Sequence, residues 1–307
     1  MSLRSSFTLF LFAGVLSAAD PELMSLLMPN AKVVAGINVD QAKTSPFGLF
    51  LLSQMPSENQ GLSDLTAKTG FDPRRDLREV LIATAGVPGR QGLVLARGDF
   101  SPQLVFAAAQ AGGHTVETYN GIPVLTGKED ALTHAVAFLG NSIAIAGDLE
   151  SVHGAIDRRT ATTSAIDPAL AARAGQLSEA LDAWSVSVVP LSALANQKGP
   201  GAQMNGVLNS DLVKAIQQTS GGVKFGSTVQ LSGQAIADTS QNATALADVV
   251  RFLGNMVQAN APASAAAAIS ALIQSLSVQA DGNTVSLAAA IPEPQLESLV
   301  RAAHQHK

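Results

Sequence analysis

Hydrophobic residues in the first part of the chain follow two periods, one typical of strands and one typical of helices. Alternating apolar positions predict a strand at residues 31–39, and an almost continuous apolar run predicts a fully buried strand at residues 79–85. The Thr-Ser-Pro sequence at residues 44–46 is typical of a helix start, and helical spacing continues towards Met55. The chain is therefore predicted to begin as a mixture of strands and short helices.

Turn and capping residues predict the elements that follow. Ser101-Pro102 begins a helix, because a hydroxyl residue followed by proline is preferred at a helix N-terminus. The predicted inner face of this helix consists of Leu104, Val105, Ala108 and Ala109. Asn120-Gly121 and Gly140-Asn141 each separate two strand-like runs, which predicts two successive hairpins. Asp148 is then placed to cap a helix that ends near Asp157.

The second part of the chain has a similar pattern. Strands are predicted at residues 184–189, 227–237, 276–280 and 284–290. Two helices are predicted between the second and third of these strands. The first has Leu246, Val249, Val250, Leu253 and Met256 on one face, and the second covers residues 265–276. Residues 196–206 are predicted to form a loop, and residues 292–303 a last helix.

A short sequence match relates the two halves of the chain. Residues 140–146 (GNSIAIA) match residues 282–288 (GNTVSLA) in type at nearly every position, and both precede a predicted helix. We interpret the match as an old duplication of a β-α-β-β-α unit, and the alternative is convergence between two hairpins. The predicted fold class is α+β, with a predominantly antiparallel sheet, helices packed on one face, and two related halves at residues 20–163 and 164–307.

The first nineteen residues have the pattern of a secretory signal peptide. Arg4 supplies a positive charge, residues 7–16 form an apolar run, and the small residues 17–19 precede Asp20, which predicts cleavage between Ala19 and Asp20. The apolar run is shorter than the about 20 residues that span a bilayer. We therefore expect residues 1–19 to be removed and the rest to be periplasmic or extracellular, without stable membrane insertion.

Composition narrows the classes of function. None of the 307 residues is cysteine, which excludes disulfides, thiolate metal sites and a lipid-modified cysteine. The net charge of −5 argues against a nucleic-acid partner. Aromatic residues make up only 4%, so stacking platforms for sugars or bases are scarce. Trp184 and Tyr119 are each predicted to anchor the edge of the core.

No motif for catalysis or cofactor binding is complete. Residues 121–129 (GIPVLTGKE) resemble a phosphate-binding loop, but five residues instead of four separate the glycines and Glu129 replaces the required Ser or Thr. The histidines are His114, His134, His153, His304 and His306. The first three show no paired zinc-ligand spacing, and the last two lie in a polar tail. We expect no cofactor and no metal site.

The densest charged segment covers residues 71–80 (FDPRRDLREV). Its charged residues are Asp72, Arg74, Arg75, Asp76, Arg78 and Glu79. One interpretation is a docking surface or an anion-binding arginine cluster. The other is an exposed, capped helical turn in which opposite charges pair, and we favour it because charge runs usually mark solvated surfaces.

A family resemblance rests on turn, cap and core segments spread along the chain. These segments are residues 71–73, 76–77, 98–100, 119–121, 135–139, 145–148, 152 and 155–157. In them the chain resembles a family of uncharacterised exported bacterial proteins, a domain of unknown function that occurs in some acidobacterial genomes. The resemblance covers most of the chain after the signal peptide. It implies an exported α+β fold with no assigned activity and no catalytic residues.

These observations favour an exported, non-enzymatic binding, scaffold or interaction protein, whose partner is an unidentified protein or small molecule. One alternative is a secreted hydrolase with a site assembled from Asp72, Asp76, His114 and His134, which requires these residues to come within reach of one another. Another alternative is a carrier of apolar ligands, which requires a dry cavity of ~300 Å³ or more between helices and sheet.

Overall fold

The computed structural model describes residues 19–53, 66–86, 92–129, 132–190, 211–261 and 265–305. The first half contains α1 (Pro21–Ser25), β1 (Val33–Asn38), α2 (Val39–Thr44), α3 (Pro46–Ser53), α4 (Pro73–Asp76), β2 (Leu77–Thr84), β3 (Gly92–Gly98), α5 (Pro102–Ala111), β4 (Thr115–Tyr119), β5 (Ile122–Glu129), β6 (Leu132–Leu139), β7 (Ile143–Asp148) and α6 (Leu149–Asp157). The second half contains α7 (Pro168–Ala180), β8 (Ala183–Ser187), α8 (Asp211–Lys214), β9 (Ile216–Lys224), β10 (Thr228–Ala237), α9 (Ser240–Ala259), α10 (Ala266–Ser275), β11 (Ser277–Asp281), β12 (Thr284–Pro292) and α11 (Glu293–Gln305).

The described strands form one twelve-stranded sheet in which each pair of neighbours is antiparallel. Their order is β11-β12-β10-β9-β8-β1-β2-β3-β7-β6-β5-β4. The two halves join where β1 pairs with β8 in the middle of the sheet. The predicted α+β class with an antiparallel sheet is confirmed.

Strand order is the same on both sides of the central pair. It reads β1-β2-β3-β7-β6 in the first half and β8-β9-β10-β12-β11 in the second, with the β4–β5 hairpin added to the first. The matching segments at residues 140–146 and 282–288 lead into β7 and β12, which hold corresponding places. In the sequence match, Ile145 corresponds to Leu287. Across the sheet, however, the strand register places Ile145 in line with Ala288, the next residue of β12. The matching side chains therefore face opposite sides of the sheet. The origin by duplication stays a prediction.

The first core lies on one side of the sheet. There α1, α6 and α7 pack against the inward-facing residues of β1–β3 and β5–β8. Leu81, Leu95 and Ile145 of the sheet are fully buried against residues such as Ile156 of α6 and Leu170 of α7. As predicted, Trp184 is a core residue and Tyr119 packs at the edge of the core.

The second core lies on the opposite side of the same sheet. In it α9 packs against β11 and β12 through Leu246, Val278 and Val285. A neighbouring cluster joins α3 and α11 to β10 and β12 around Phe47 and Ile291. The two cores therefore lie on opposite sides of the sheet, and each side also uses a helix from the other half: α7 packs in the first core, and α3 packs in the cluster beside the second.

Local turn chemistry explains the hairpins. Asn120 and Gly121 have φ values of 46° and 81°, the left-handed conformation that a two-residue hairpin turn needs. The predicted cap at Asp148 is also present, because its carboxylate accepts the backbone N–H of Ser151 at 2.9 Å. These elements depend on neighbouring residues only, which is why the sequence predicted them.

Three predictions of burial were wrong. The strand predicted to be fully buried has Ile82 44% exposed, because only one side of β2 is covered. Leu104, assigned to the inner face of α5, is 50% exposed, and Phe106 instead packs edge-to-face on Phe138 at 5.7 Å. Met256 of α9 is also exposed. Predictions for Met55 and for residues 196–206 lie outside the described residues.

The sequence pattern missed β9. Its sequence, IQQTSGGVK, has no apolar alternation and contains two adjacent glycines. Gly222 is required there because a Cβ at this position would collide with the Ala183 carbonyl of β8. A close approach between strand backbones thus determines this element, and hydrophobic pattern does not report it.

Candidate binding surfaces

Two of the residues in the hydrolase alternative lie at one end of the sheet. Asp76 precedes β2 at the end where that strand pairs with Gly98 of β3. Asp72 lies beside it, since the Asp72 backbone N–H donates to Asp76 Oδ2 at 2.7 Å.

The two histidines lie towards the other end. His134 of β6 pairs with Gly127 of β5, and His114 approaches the same glycine, so the two histidines flank one strand. His134 also pairs with Asp148 of β7. The residue before Asp148, Gly147, pairs with Leu93 of β3. Leu93 and Gly98 are about 17 Å apart along β3 at the rise of a strand. The structure therefore does not bring the acids and the histidines together.

Five of the six charged residues in the segment at residues 71–80 form ion pairs. Arg74 donates from Nη2 to Asp72 at 2.9 Å, and Arg75 donates from Nε to Asp76 at 2.6 Å. These hydrogen bonds hold the pKa of each carboxyl below its usual value. Arg78 is paired with Asp99 at 2.8 Å. The ion pairs agree with the capped turn, because the three guanidinium groups are occupied by neighbouring acids.

A wide cavity of about 810 Å³ opens beside α6. The rings of Tyr119 and His153 stack in parallel at its wall, 3.7 Å apart. The Tyr119 hydroxyl donates to Asp157 at 3.0 Å, and Asn120 donates to the same carboxylate at 2.6 Å. The hydrogen bond to Asp157 raises the pKa of Tyr119.

The other charged groups of this cavity also have internal partners. Burial opposes ionisation of Asp148, but hydrogen bonds from the backbone N–H groups of Ser151 and Gly92 lower its pKa. Arg158 donates to the Leu26 carbonyl at 2.9 Å. The cavity is therefore lined by groups that hold α6, the β4–β5 turn and the segment after α1 together. Within the described ranges, no group of three or more His, Asp or Glu residues could hold a metal ion.

A second candidate surface is the side of the first half that faces away from the first core. We call it the outer apolar face, and it consists of Val33, Ala35, Ile37, Val80, Ile82, Val94, Ala96, Ala144, Ala146 and Val136. None of these ten residues is buried. One direct row of cross-strand neighbours runs from Ala35 through Ile82, Val94 and Ala146 to Val136.

Exposure contrasts sharply between the two sides of these strands. Ile82 and Val94 are paired across β2 and β3 and are 44% and 38% exposed, whereas Leu81 and Leu95 on the inner side are fully buried. Five strands and two rows of side chains cover on the order of 300 Å². This footprint is at the lower end of the about 300–600 Å² that the largest apolar patch of a typical monomer covers, and such a patch is often functional.

Helices border the outer apolar face on both sides. Towards β6, α5 is attached through Phe106 and Phe138. Towards β8, the same side of the sheet continues into the second core, because Ala35 is in line with Leu287 through Ser185 and Gly233. Among the helices that the structure describes, the outer apolar face is thus a gap in the layer.

Helix α9 carries a smaller exposed apolar stripe. Phe252 is 67% exposed, and Met256 and Val257 beside it are also exposed. In the described part of the chain, no helix is both long and apolar enough to cross a membrane.

The sequence contained a signal for the outer apolar face, since β2 and β3 are apolar at consecutive positions. Such a run predicts that both sides of a strand are covered. It does not tell which side stays open, because that depends on where the helices pack.

Comparisons with known proteins show the fold alone. No family model matches the sequence, and no curated protein matches it. Among solved structures, crystal form I of TP0453 has a TM-score of 0.51 with 9% identity, covering 93% of this chain and 98% of that chain. Crystal form IV of TP0453 has a TM-score of 0.50 with 11% identity, covering 90% and 95%. The resemblance to uncharacterised exported bacterial proteins stays a prediction.

Proposed function

We propose that this protein is an exported, non-enzymatic interaction protein that binds an amphipathic helix of a partner protein on the outer apolar face. The observation that carries the proposal is the exposed pair Ile82 and Val94 at the centre of a row that is apolar across five strands. The predicted signal peptide at residues 1–19 supports export.

A helix suits this surface because helices already cover the neighbouring part of the same side. A partner helix that laid an apolar stripe along the gap would continue that layer. Covering the exposed parts of Ile82 and Val94 would contribute about 1 kcal/mol each, from the 1.5–3 kcal/mol of full burial. The remaining residues of the face would add contact area and exclude water.

Other functions receive less support. A hydrolase built on Asp72, Asp76, His114 and His134 would need the two acids and the two histidines to meet, and they lie at different ends of the sheet. A carrier of apolar ligands would need a dry space between helices and sheet, and fully buried leucines fill that layer in the first core. The cavity beside α6 has its charged groups already paired.

Site-specific photocrosslinking in an exporting bacterial host tests the proposal. A photoreactive amino acid is placed at residue 82 or 94, and the matched controls carry it at Ser232, an exposed strand position, or at Phe252, an exposed apolar position on α9. We expect a discrete adduct at residues 82 and 94 that mass spectrometry maps to a helical segment of another protein. A Val94→Glu change should abolish the adduct formed at residue 82.

Two outcomes would overturn the proposal. One is an adduct that maps to this chain itself, because the face would then be covered by the chain or by a second copy. The other is equal crosslinking at Phe252, because the reaction would then report general apolar contact and not a specific surface.

A further inference from the structure

The carboxylate of Glu79 lies against the backbone nitrogen of Asp20. Both carboxylate oxygens are 3.2 Å from that nitrogen, so a single N–H lies between two acceptors. The two residues are 59 positions apart in the chain. The contact is therefore a tertiary one, formed by the first described residues against the inner side of β2.

Glu79 is partly buried and has no cationic partner among the described residues. The nearest cation is Arg97, whose Nε donates to Asp20 Oδ2 and whose Nη2 donates to Glu22 Oε2, each at 2.7 Å. Three carboxylates, of Asp20, Glu22 and Glu79, thus surround one guanidinium. Burial, assisted by the Asp20 carboxylate, raises the pKa of Glu79 to about 7, although the Asp20 N–H and Arg97 act in the opposite direction.

Asp20 makes contacts of its own, in addition to those of Ala19, which is buried and donates its backbone N–H to Ser178 Oγ at 2.9 Å. Its side chain caps α1 by accepting the backbone N–H of Glu22 at 2.8 Å, and it also pairs with Arg97. Leu23 and Leu27 then anchor the helix and the residues after it in the first core. The nitrogen of Asp20 would therefore stay beside Glu79 after loss of Ala19.

Asp20 is also the first residue after the predicted cleavage site. We propose that the Glu79 carboxylate binds the mature N-terminus: a signal peptidase hydrolyses the Ala19–Asp20 bond, and the new α-ammonium group of Asp20 forms a partly buried ion pair with the Glu79 carboxylate. The C–N bond breaks, the oxygen of water ends on Ala19 as part of its carboxylate, and the Asp20 nitrogen keeps the bonding electron pair and becomes protonated. No oxidant or reductant is needed.

This cleavage changes the charge balance of the cluster. Before it, burial holds the pKa of Glu79 at about 7, because the amide N–H of Asp20 only partly opposes the effect of burial. After it, the cluster contains two cations for three carboxylates, and the ionised acid is favoured. Removal of the leader therefore stabilises the fold at neutral pH, through a contact that the uncleaved chain cannot make.

The experiment compares two forms of the chain that differ only in this charge. One begins at Asp20 with a free amine, and the other is the same chain acetylated on that nitrogen. Carboxyl carbon NMR, assigned with Glu79→Gln, measures the pKa of Glu79 in each folded form. We expect a value of about 7 in the acetylated chain, as with the intact amide, and a value below 4.5, its usual value, with the free amine.

Stability gives a second readout. A raised carboxyl pKa favours folding at low pH and loses this effect as the pH rises from 4.5 towards 7. Raising the pH from 5 to 7.5 should therefore increase the unfolding constant of the acetylated chain about 10- to 60-fold more than that of the free-amine chain, the lower figure allowing for solvent screening. Glu79→Gln should remove this difference.

Three results would overturn the proposal. The first is an equal Glu79 pKa in the two forms, and the second is a stability difference that persists in Glu79→Gln. The third comes from the intact mass of the exported protein, if it shows a mature chain that begins at a residue other than Asp20.

Discussion

Two valines on neighbouring parts of the sheet test whether the outer apolar face is open in the isolated protein. Val34 of β1 is fully buried in the first core, whereas Val94 of β3 is 38% exposed on the outer apolar face. Replacing each by threonine keeps the shape and the β-branching and exchanges one methyl group for a hydroxyl. The two substitutions therefore differ in environment and not in chemistry.

The structure predicts unequal costs. At Val34 the new hydroxyl is buried among apolar side chains, and an unpaired hydroxyl there costs about 1–3 kcal/mol. At Val94 water reaches the side chain, so we expect a change within about 0.5 kcal/mol, as for other surface substitutions.

Urea denaturation of both variants and the unchanged protein measures these costs. The comparison is valid if the dependence of the unfolding free energy on urea concentration is unchanged, since the denatured states are then alike. A Val94→Thr cost equal to that of Val34→Thr would refute the reasoning, because the outer apolar face would then be covered within the isolated chain.

Three further predictions, made with four substitutions, test local features. Asp148→Ala should destabilise the protein by about 1 kcal/mol, because α6 loses its cap. The pKa of the Asp148 carboxyl is lowered in the folded state, so the difference in stability should be present above pH 3.8 and disappear as the pH falls below it. Unfolding measured at several pH values tests this. Asp157→Asn should lower the pKa of Tyr119 towards 10, which ultraviolet titration reports directly because the chain contains one tyrosine; an unchanged pKa would contradict the hydrogen bond. Gly222→Ala should destabilise the fold by about 1–3 kcal/mol, since the new methyl group meets the backbone of β8. The control Gly175→Ala, in an open position on α7, should stabilise the fold by about 0.5–1 kcal/mol. Similar effects of the two substitutions in urea denaturation would argue against the close approach of β9 to β8.

Elements that depend on neighbouring residues could be predicted from the sequence. The Asn120-Gly121 turn and the Asp148 cap are examples, because each is determined by residues within a few positions. The α+β class follows from the same local patterns. The strand order could not be predicted, since the central pairing of β1 with β8 joins segments about 150 residues apart and no periodicity encodes that choice.

The candidate sites depend on such distant contacts. Ile82 and Val94 become neighbours through the register of β2 and β3, and helix placement alone decides that their side stays open. Glu79 was assigned by sequence to an exposed charged segment, yet its carboxylate faces the N-terminal segment that carries Asp20. A sequence pattern reports that these residues are apolar or charged, but not what lies opposite them.

Strand β2 connects the two proposals, because Glu79 and Ile82 point to opposite sides of it. On the inner side, an ion pair between Glu79 and the mature N-terminus would fix α1, whose neighbours Leu26 and Leu27 are buried in the first core. That side is closed by the chain itself, so a partner can reach β2 only from the side of Ile82. The two contacts should then be energetically separate: in the mature chain, Glu79→Gln should lower stability at neutral pH and leave crosslinking from residue 82 unchanged while the protein remains folded. Loss of that crosslink in folded Glu79→Gln would mean that capture of the N-terminus changes the outer apolar face through β2.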